Sequence, residues 1–117
     1  VQKFRLVVSD TLRFAARFAF NDEGAERLFV AKLQARRTPG VQFEAALREQ
    51  PVFVDFLRGR GLTLLGWEGD SPLVDEQGNA APANADALDA LLAEPGMPNV
   101  LLAAYVEANG AKAKLGN

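Results

Sequence analysis

Cysteine and histidine are both absent from this chain of 117 residues, and methionine, tryptophan and tyrosine occur once each. Without thiol or imidazole there is no Ser-His-Asp triad, no cysteine nucleophile, no zinc site of the usual Cys/His type and no disulfide framework. Only carboxylates, hydroxyls and lysines remain for chemistry, which argues against an enzyme. No catalytic, cofactor-binding or metal-binding residue is expected, and no cofactor. Long apolar runs are missing too: none approaches the ~20 residues that cross a bilayer. The opening Val1-Gln2-Lys3-Phe4-Arg5 lacks the cationic and apolar regions of a signal peptide. The expectation is a soluble intracellular domain with no membrane partner.

What is present suits one domain. A chain of this size buries roughly two-thirds of its unfolded surface and folds without cross-links. Its formal net charge of −2 hides a division. Residues 1–60 carry 11 basic and 7 acidic side chains, a balance of +4, whereas residues 61–117 carry 2 and 8, a balance of −6. Opposite charge in the two halves offers a route to head-to-tail association of subunits, or to a different partner for each half.

The first 36 residues read as strands. Phe4, Leu6 and Val8 recur at every second position. The cleanest alternation follows, with Leu12, Phe14, Ala16, Phe18 and Phe20 on one face and Arg13, Ala15, Arg17 and Ala19 on the other. Asn21-Asp22-Glu23-Gly24 supplies a four-residue hairpin connection. Beyond it Phe29, Ala31, Leu33 and Ala35 oppose Leu28, Val30, Lys32 and Gln34, although helix competes over 25–36. Three sequential strands with short links imply an antiparallel meander. Thr38-Pro39-Gly40 then marks a change of period and a helix start. Phe43, Ala46 and Leu47 form its stripe. Pro51 interrupts, so a second short helix is expected there, with Val52, Phe53, Phe56 and Leu57 inward. Leu62 to Leu65, leading into Gly66-Trp67, ends a helix or forms a short strand.

From Glu68 to Asn84 turn formers and acids dominate, consistent with a surface loop and a small hairpin around Asp75-Glu76-Gln77-Gly78. Asn84 is a plausible cap for a helix burying Leu88, Leu91 and Leu92. Pro98 opens a last helix with Leu101, Ala104, Tyr105 and Ala108 as its stripe. The fold expected is α+β, an N-terminal antiparallel β-meander packed against several short α-helices. It forms a single domain over about 1–110, with strands at about 3–36, helices at about 40–58, 84–94 and 98–109, and a flexible tail at 111–117.

Few constellations carry chemistry. Asp22-Glu23 and Asp75-Glu76 are adjacent acids in polar loops, where solvation accounts for them better than paired acid–base work. Gly59-Arg60-Gly61 lacks the third glycine of a nucleotide-binding turn. Arg5, Arg13 and Arg17 on sheet faces invite a nucleic-acid reading. The aromatics that would stack bases lie on the opposite face, however, and the chain is acidic, so nucleic acid is a disfavoured partner. The candidate protein-interaction residues are Arg13, Arg17, Phe14, Phe18 and Trp67. Three phenylalanines on one strand, Phe14, Phe18 and Phe20, exceed what one small helix layer covers, which leaves part of that face for an oligomer contact. Trp67 is a core plug or an interface anchor.

Several segments read in order carry a resemblance. They are Phe4-Arg5-Leu6-Val7-Val8-Ser9-Asp10-Thr11, Leu65-Gly66-Trp67-Glu68-Gly69, Leu73-Val74-Asp75-Glu76-Gln77-Gly78-Asn79, Ala87 to Gly96 with its Leu91-Leu92-Ala93-Glu94-Pro95, and Leu102 to Ala108 with Ala104-Tyr105. Together they resemble the tail assembly chaperones of long-tailed (siphovirus) phages. The resemblance covers nearly the whole chain and is weakest over 36–60. It implies a non-enzymatic protein acting in the bacterial host's cytoplasm, absent from the mature virion. Such a protein binds the tape measure protein, keeps it soluble, and helps recruit the tail tube protein, acting as a homo-oligomer. It also implies a shorter product of a programmed frameshift, with the slip site near Ala111–Asn117. The alternatives are a tail structural, completion or connector subunit and a sheet-based nucleic-acid-binding module.

Overall fold

The computed structural model describes residues 4–7, 14–33 and 40–110, the side chains of 40–47 excepted. Leu12, Arg13, residues 34–36, the Phe43–Leu47 stripe and the tail 111–117 lie outside the described residues. The elements run β1 (Arg5–Leu6), β2 (Phe14–Asp22), β3 (Ala25–Leu33), α1 (Gly40–Gly59), β4 (Thr63–Glu68), β5 (Leu73–Val74), α2 (Ala85–Ala93) and α3 (Met97–Asn109). Antiparallel sheets packed against helices make this an α+β fold. β2 sits between β3 and β4 in a three-stranded sheet, while β1 pairs with β5 in a separate ribbon. The first strand is therefore not a neighbour of the second. The third member of the main sheet is β4 (Thr63–Glu68), from the stretch Leu62 to Trp67 whose sequence allowed either a helix end or a strand.

Strand alternation translates directly into burial. Phe14, Ala16, Phe18 and Phe20 of β2 and Phe29, Ala31 and Leu33 of β3 are buried on one face, under helices carrying Leu57, Leu88, Leu91, Leu92, Leu101 and Tyr105. α3 lies against β3 and is backed by α1 and α2. The helix layer thus covers all three β2 phenylalanines, contrary to the expected surplus. At roughly 25 cal/mol per Å² of apolar area, this shared face is the main source of stability.

The β2–β3 connection is tighter than the four residues expected. Asp22 pairs directly with Ala25, so only Glu23 and Gly24 form the turn, with φ of 51° and 86°. Two consecutive positive φ values match a type I′ turn, whose twist suits a hairpin. The Asn21 side-chain oxygen accepts from the Gly24 N–H at 2.9 Å. Glu23 is exposed and is the one described non-glycine residue with positive φ. A side chain there is strained, and asparagine tolerates the conformation better. Glu23→Asn should therefore stabilise the fold by about 0.5–1 kcal/mol, raising Tm by a few degrees. Urea melts should show a higher midpoint with an unchanged m value.

β4 carries a bulge. Its register with β2 runs from Phe18 opposite Leu64 to Arg17 opposite Gly66, so Leu65 has no partner. On a regular strand Leu64 and Trp67, three apart, would point to opposite faces. The extra residue restores the phase and turns both towards the core. Trp67 is half-buried, and its indole N–H donates to the Ala81 carbonyl at 2.9 Å.

α1 continues through Pro51 instead of breaking into two helices. Proline there cannot donate to the Leu47 carbonyl and costs about 3 kcal/mol in a helix interior. Tertiary packing offsets that cost. Val54 and Phe56 pack against the core, Leu57 is buried in it, and Gln50 is clamped just before the proline. The Gln50 amide donates to the carbonyls of Leu92 and Glu94 at 2.8 and 2.9 Å, and its oxygen accepts from the Gly96 N–H at 3.1 Å. One side chain so satisfies the end of α2 and the entry to α3, groups that helix termini leave open.

Two further local signals are realised, whereas Val52, expected inward on α1, is 70% exposed. The Asn84 side chain accepts from the Ala87 N–H at 3.0 Å and caps α2. The Asp75 carboxylate accepts from the N–H groups of Gln77 and Asn79, closing the small turn that Val74 and Ala80 bridge.

Candidate protein-interaction surface

Among the described residues, the main sheet has helices on one face only. On its other face Arg17 lies between Val30 and Gly66, Ala19 between Leu28 and Thr63, and Ala15 between Lys32 and Glu68. Leu28, Val30 and the bulged Leu65 on this face are 63%, 47% and 49% exposed. An antiparallel sheet with one wet face ordinarily shows polar residues there. Three large apolar side chains in their place mark a surface suited to an apolar partner.

Charge borders the patch. Arg17 Nε lies 3.5 Å from Glu68 Oε1, both side chains being about half-exposed. Gly66 makes that path possible: a Cβ at this position would overlap the Arg17 guanidinium. The arginine therefore lies across the β4 backbone, and its aliphatic stem adds to the apolar surface. Lys32 continues the face on β3. Beside it, a groove of about 490 Å³ runs between Val30 and Lys32 and the α3 residues Val100, Ala103, Ala104, Glu107 and Ala108.

The structure separates the candidate residues read from the sequence. Arg17 stands on the open face. Trp67 is on the helix side, half-buried and hydrogen-bonded. Phe14 and Phe18 are 6% and 0% exposed and belong to the core, out of reach of a partner while the domain is folded. Arg13 lies outside the described residues. Arg5 is on β1, in a different sheet from Arg17, so these two do not build one basic face. Leu28, Val30 and Leu65 were missed as site residues. The signal was available in β3, which is apolar on both faces over Leu28-Phe29-Val30-Ala31.

A second feature had no sequence signal. At the hairpin end of the sheet Asp22, 3% exposed, receives the Tyr105 hydroxyl on Oδ2 and Arg60 Nη1 on Oδ1, the latter at 3.1 Å. Arg60 also lies over the Phe56 ring at 5.0 Å. Tyr105 packs on Phe20 with centroids 4.7 Å apart and meets Phe29 edge-on. Burial, and then the hydrogen bond and negative charge of Asp22, push the Tyr105 hydroxyl up to about 12, with Arg27 opposing weakly. This cluster joins β2, the end of α1 and α3, and it is structural.

Charges from the two halves of the sequence meet in the fold. Two of the three ion pairs among the described residues, Arg17–Glu68 and Arg58–Asp89, join the basic half to the acidic half. β4, from the acidic half, lies beside β2 from the basic one. Among the described residues no cluster of Asp and Glu has the spacing to hold a metal ion, and no helix is long and apolar enough to cross a membrane.

No protein-family model, curated protein or solved structure matches this chain.

Proposed function

We propose that this chain is a tail assembly chaperone of a long-tailed phage or prophage, a non-enzymatic protein that binds the tape measure protein and keeps it soluble until tail tube subunits replace it. The observation that carries the reading is the open sheet face with Leu28, Val30 and Leu65, which fits a client presenting apolar stripes. Weak apolar contacts repeated along a long client add up by multivalency and are released one by one, as a displaceable coat requires. The ordered segments from Phe4 to Ala108 that resemble this family support the same reading. It places the protein in the host cytoplasm and outside finished particles.

Co-expression with a tape measure protein tests it. The client should move from the pellet to the soluble fraction and co-purify with the chaperone. The double variant Leu28→Ser, Leu65→Ser should lose that effect while keeping its circular dichroism and melting temperature, because neither side chain is in the core. A client that stays insoluble, or a variant as effective as the parent, overturns the proposal. Recovery of the protein from purified virions by mass spectrometry would instead favour a tail structural or completion subunit.

A further inference from the structure

β3 is an edge strand of nine residues, and its geometry specifies what can pair with it. In a two-residue hairpin the residues flanking the turn, Asp22 and Ala25, exchange both backbone hydrogen bonds, and exchanging and non-exchanging pairs then alternate. Pairs 20/27, 18/29, 16/31 and 14/33 therefore bond to each other. Glu26, Leu28, Val30 and Lys32 do not, and their N–H and C=O groups point away from β2, along the free edge. The partner strand gives an independent check: Asn21, opposite Glu26, turns its N–H away from β3 and donates to the Arg60 carbonyl at 2.8 Å. Among the described residues nothing bonds to the β3 edge, and neither Glu26 nor Lys32 has an ion-pair partner.

We infer that this edge binds a second copy of the same chain, β3 against β3, antiparallel about a two-fold axis at Phe29. In that register Glu26 stands opposite the partner's Lys32, and Leu28 opposite the partner's Val30, each contact occurring twice by symmetry. All four edge-directed residues meet edge-directed residues, so every free N–H finds a carbonyl. The alternatives are worse. A shift of two residues one way puts Glu26 against the partner's Val30 and Lys32 against the partner's Gly24. The shift the other way puts Leu28 against the partner's Lys32. A slip of one residue places outer side chains against core ones. A lysine on an edge strand ordinarily guards against pairing. Here the strand carries its own countercharge six residues away, at the position that answers it.

The groove beneath the edge leaves room for the approach, since Ala103, Ala104 and Ala108 of α3 line it with small side chains. Pairing joins the two sheets into one of six strands, in the order β4-β2-β3-β3-β2-β4. The apolar Leu28–Val30 face becomes continuous across the two-fold axis. This pairing is a property of the strand and stands whether or not the chain handles a phage client.

Sedimentation velocity over a concentration series tests the inference with three variants. The parent should dimerise. Lys32→Glu and Glu26→Lys each put like charges opposite one another twice, and each should weaken the dimer by about tenfold or more. The double variant E26K/K32E exchanges the charges and should restore it. Circular dichroism should be the same for all four proteins. Amide exchange at Glu26, Leu28, Val30 and Lys32 should slow as concentration rises. A parent that stays monomeric, single variants that dimerise like the parent, a double variant that is not rescued, or edge amides whose exchange ignores concentration would each overturn it.

Discussion

Asp22→Ala should cost about 3–5 kcal/mol of folding free energy, because it leaves the Arg60 guanidinium and the Tyr105 hydroxyl facing an emptied, nearly dry site. Removing one partner of a buried charged network costs more than the network contributed when whole. Tyr105→Phe, which deletes a hydroxyl but keeps the ring packed on Phe20 and Phe29, should cost only about 1–3 kcal/mol. Urea unfolding of the two single variants and the double variant measures the coupling between them. Additive losses would show that the hydroxyl–carboxylate contact contributes nothing.

The same pair gives a pH dependence with a definite sign. The Tyr105 hydroxyl ionises near 10 in the unfolded chain and at about 12 in the folded one. Between these values the folded state holds a proton that the unfolded state has released, so stability falls as pH rises. The contribution is fully present below pH 10 and is lost by about pH 12, a swing of about 2–3 kcal/mol. Tyr105→Phe should remove that part of the alkaline decline. Parallel stability curves for parent and variant from pH 9 to 12 would refute the linkage.

Phe18→Ala should be comparably damaging, at about 3–5 kcal/mol, since it empties a position with no exposed surface. The Phe18 ring is stacked on Phe29 at 5.3 Å between centroids and 18° between planes, and the bulge in β4 brings Leu64 opposite it. With total stabilities of about 5–15 kcal/mol usual for a domain, such a loss is a large share. The result separates two roles for the β2 aromatics. A core residue lowers the urea midpoint of the isolated protein; an interface residue leaves it unchanged and alters only association. Leu28 and Leu65, on the other side of the sheet, should behave in the second way.

Much of the fold was legible in the sequence because its signals were local. A period of two over Phe14–Phe20 and Phe29–Leu33, the Asn84 cap, and the Asp75–Gly78 turn depend on residues a few positions apart, and each formed as read. Pro51 was misread for the same reason. A proline weakens a helix locally, but Gln50 hydrogen-bonds to residues 42 to 46 positions away and holds the chain in register around it. The interaction surface was half legible. β3 displays apolar residues on both of its faces, but alternation cannot say which face the helices cover.

By itself, then, the sequence determined the class of fold, the core face of β2 and the absence of thiol and imidazole chemistry. These follow from composition and from side-chain periodicity, which need no knowledge of distant neighbours. Only the tertiary structure decided that β4 replaces β1 beside β2, that a bulge aligns Leu64 with Trp67, and that Asp22 at the end of β2 meets Tyr105 from the last helix, 83 positions on. It also brought parts of the basic half and the acidic half together. Strands from both halves share one sheet, and long-range pairing brings Arg17 to Glu68 and Arg58 to Asp89, charges far apart along the chain, within 4 Å.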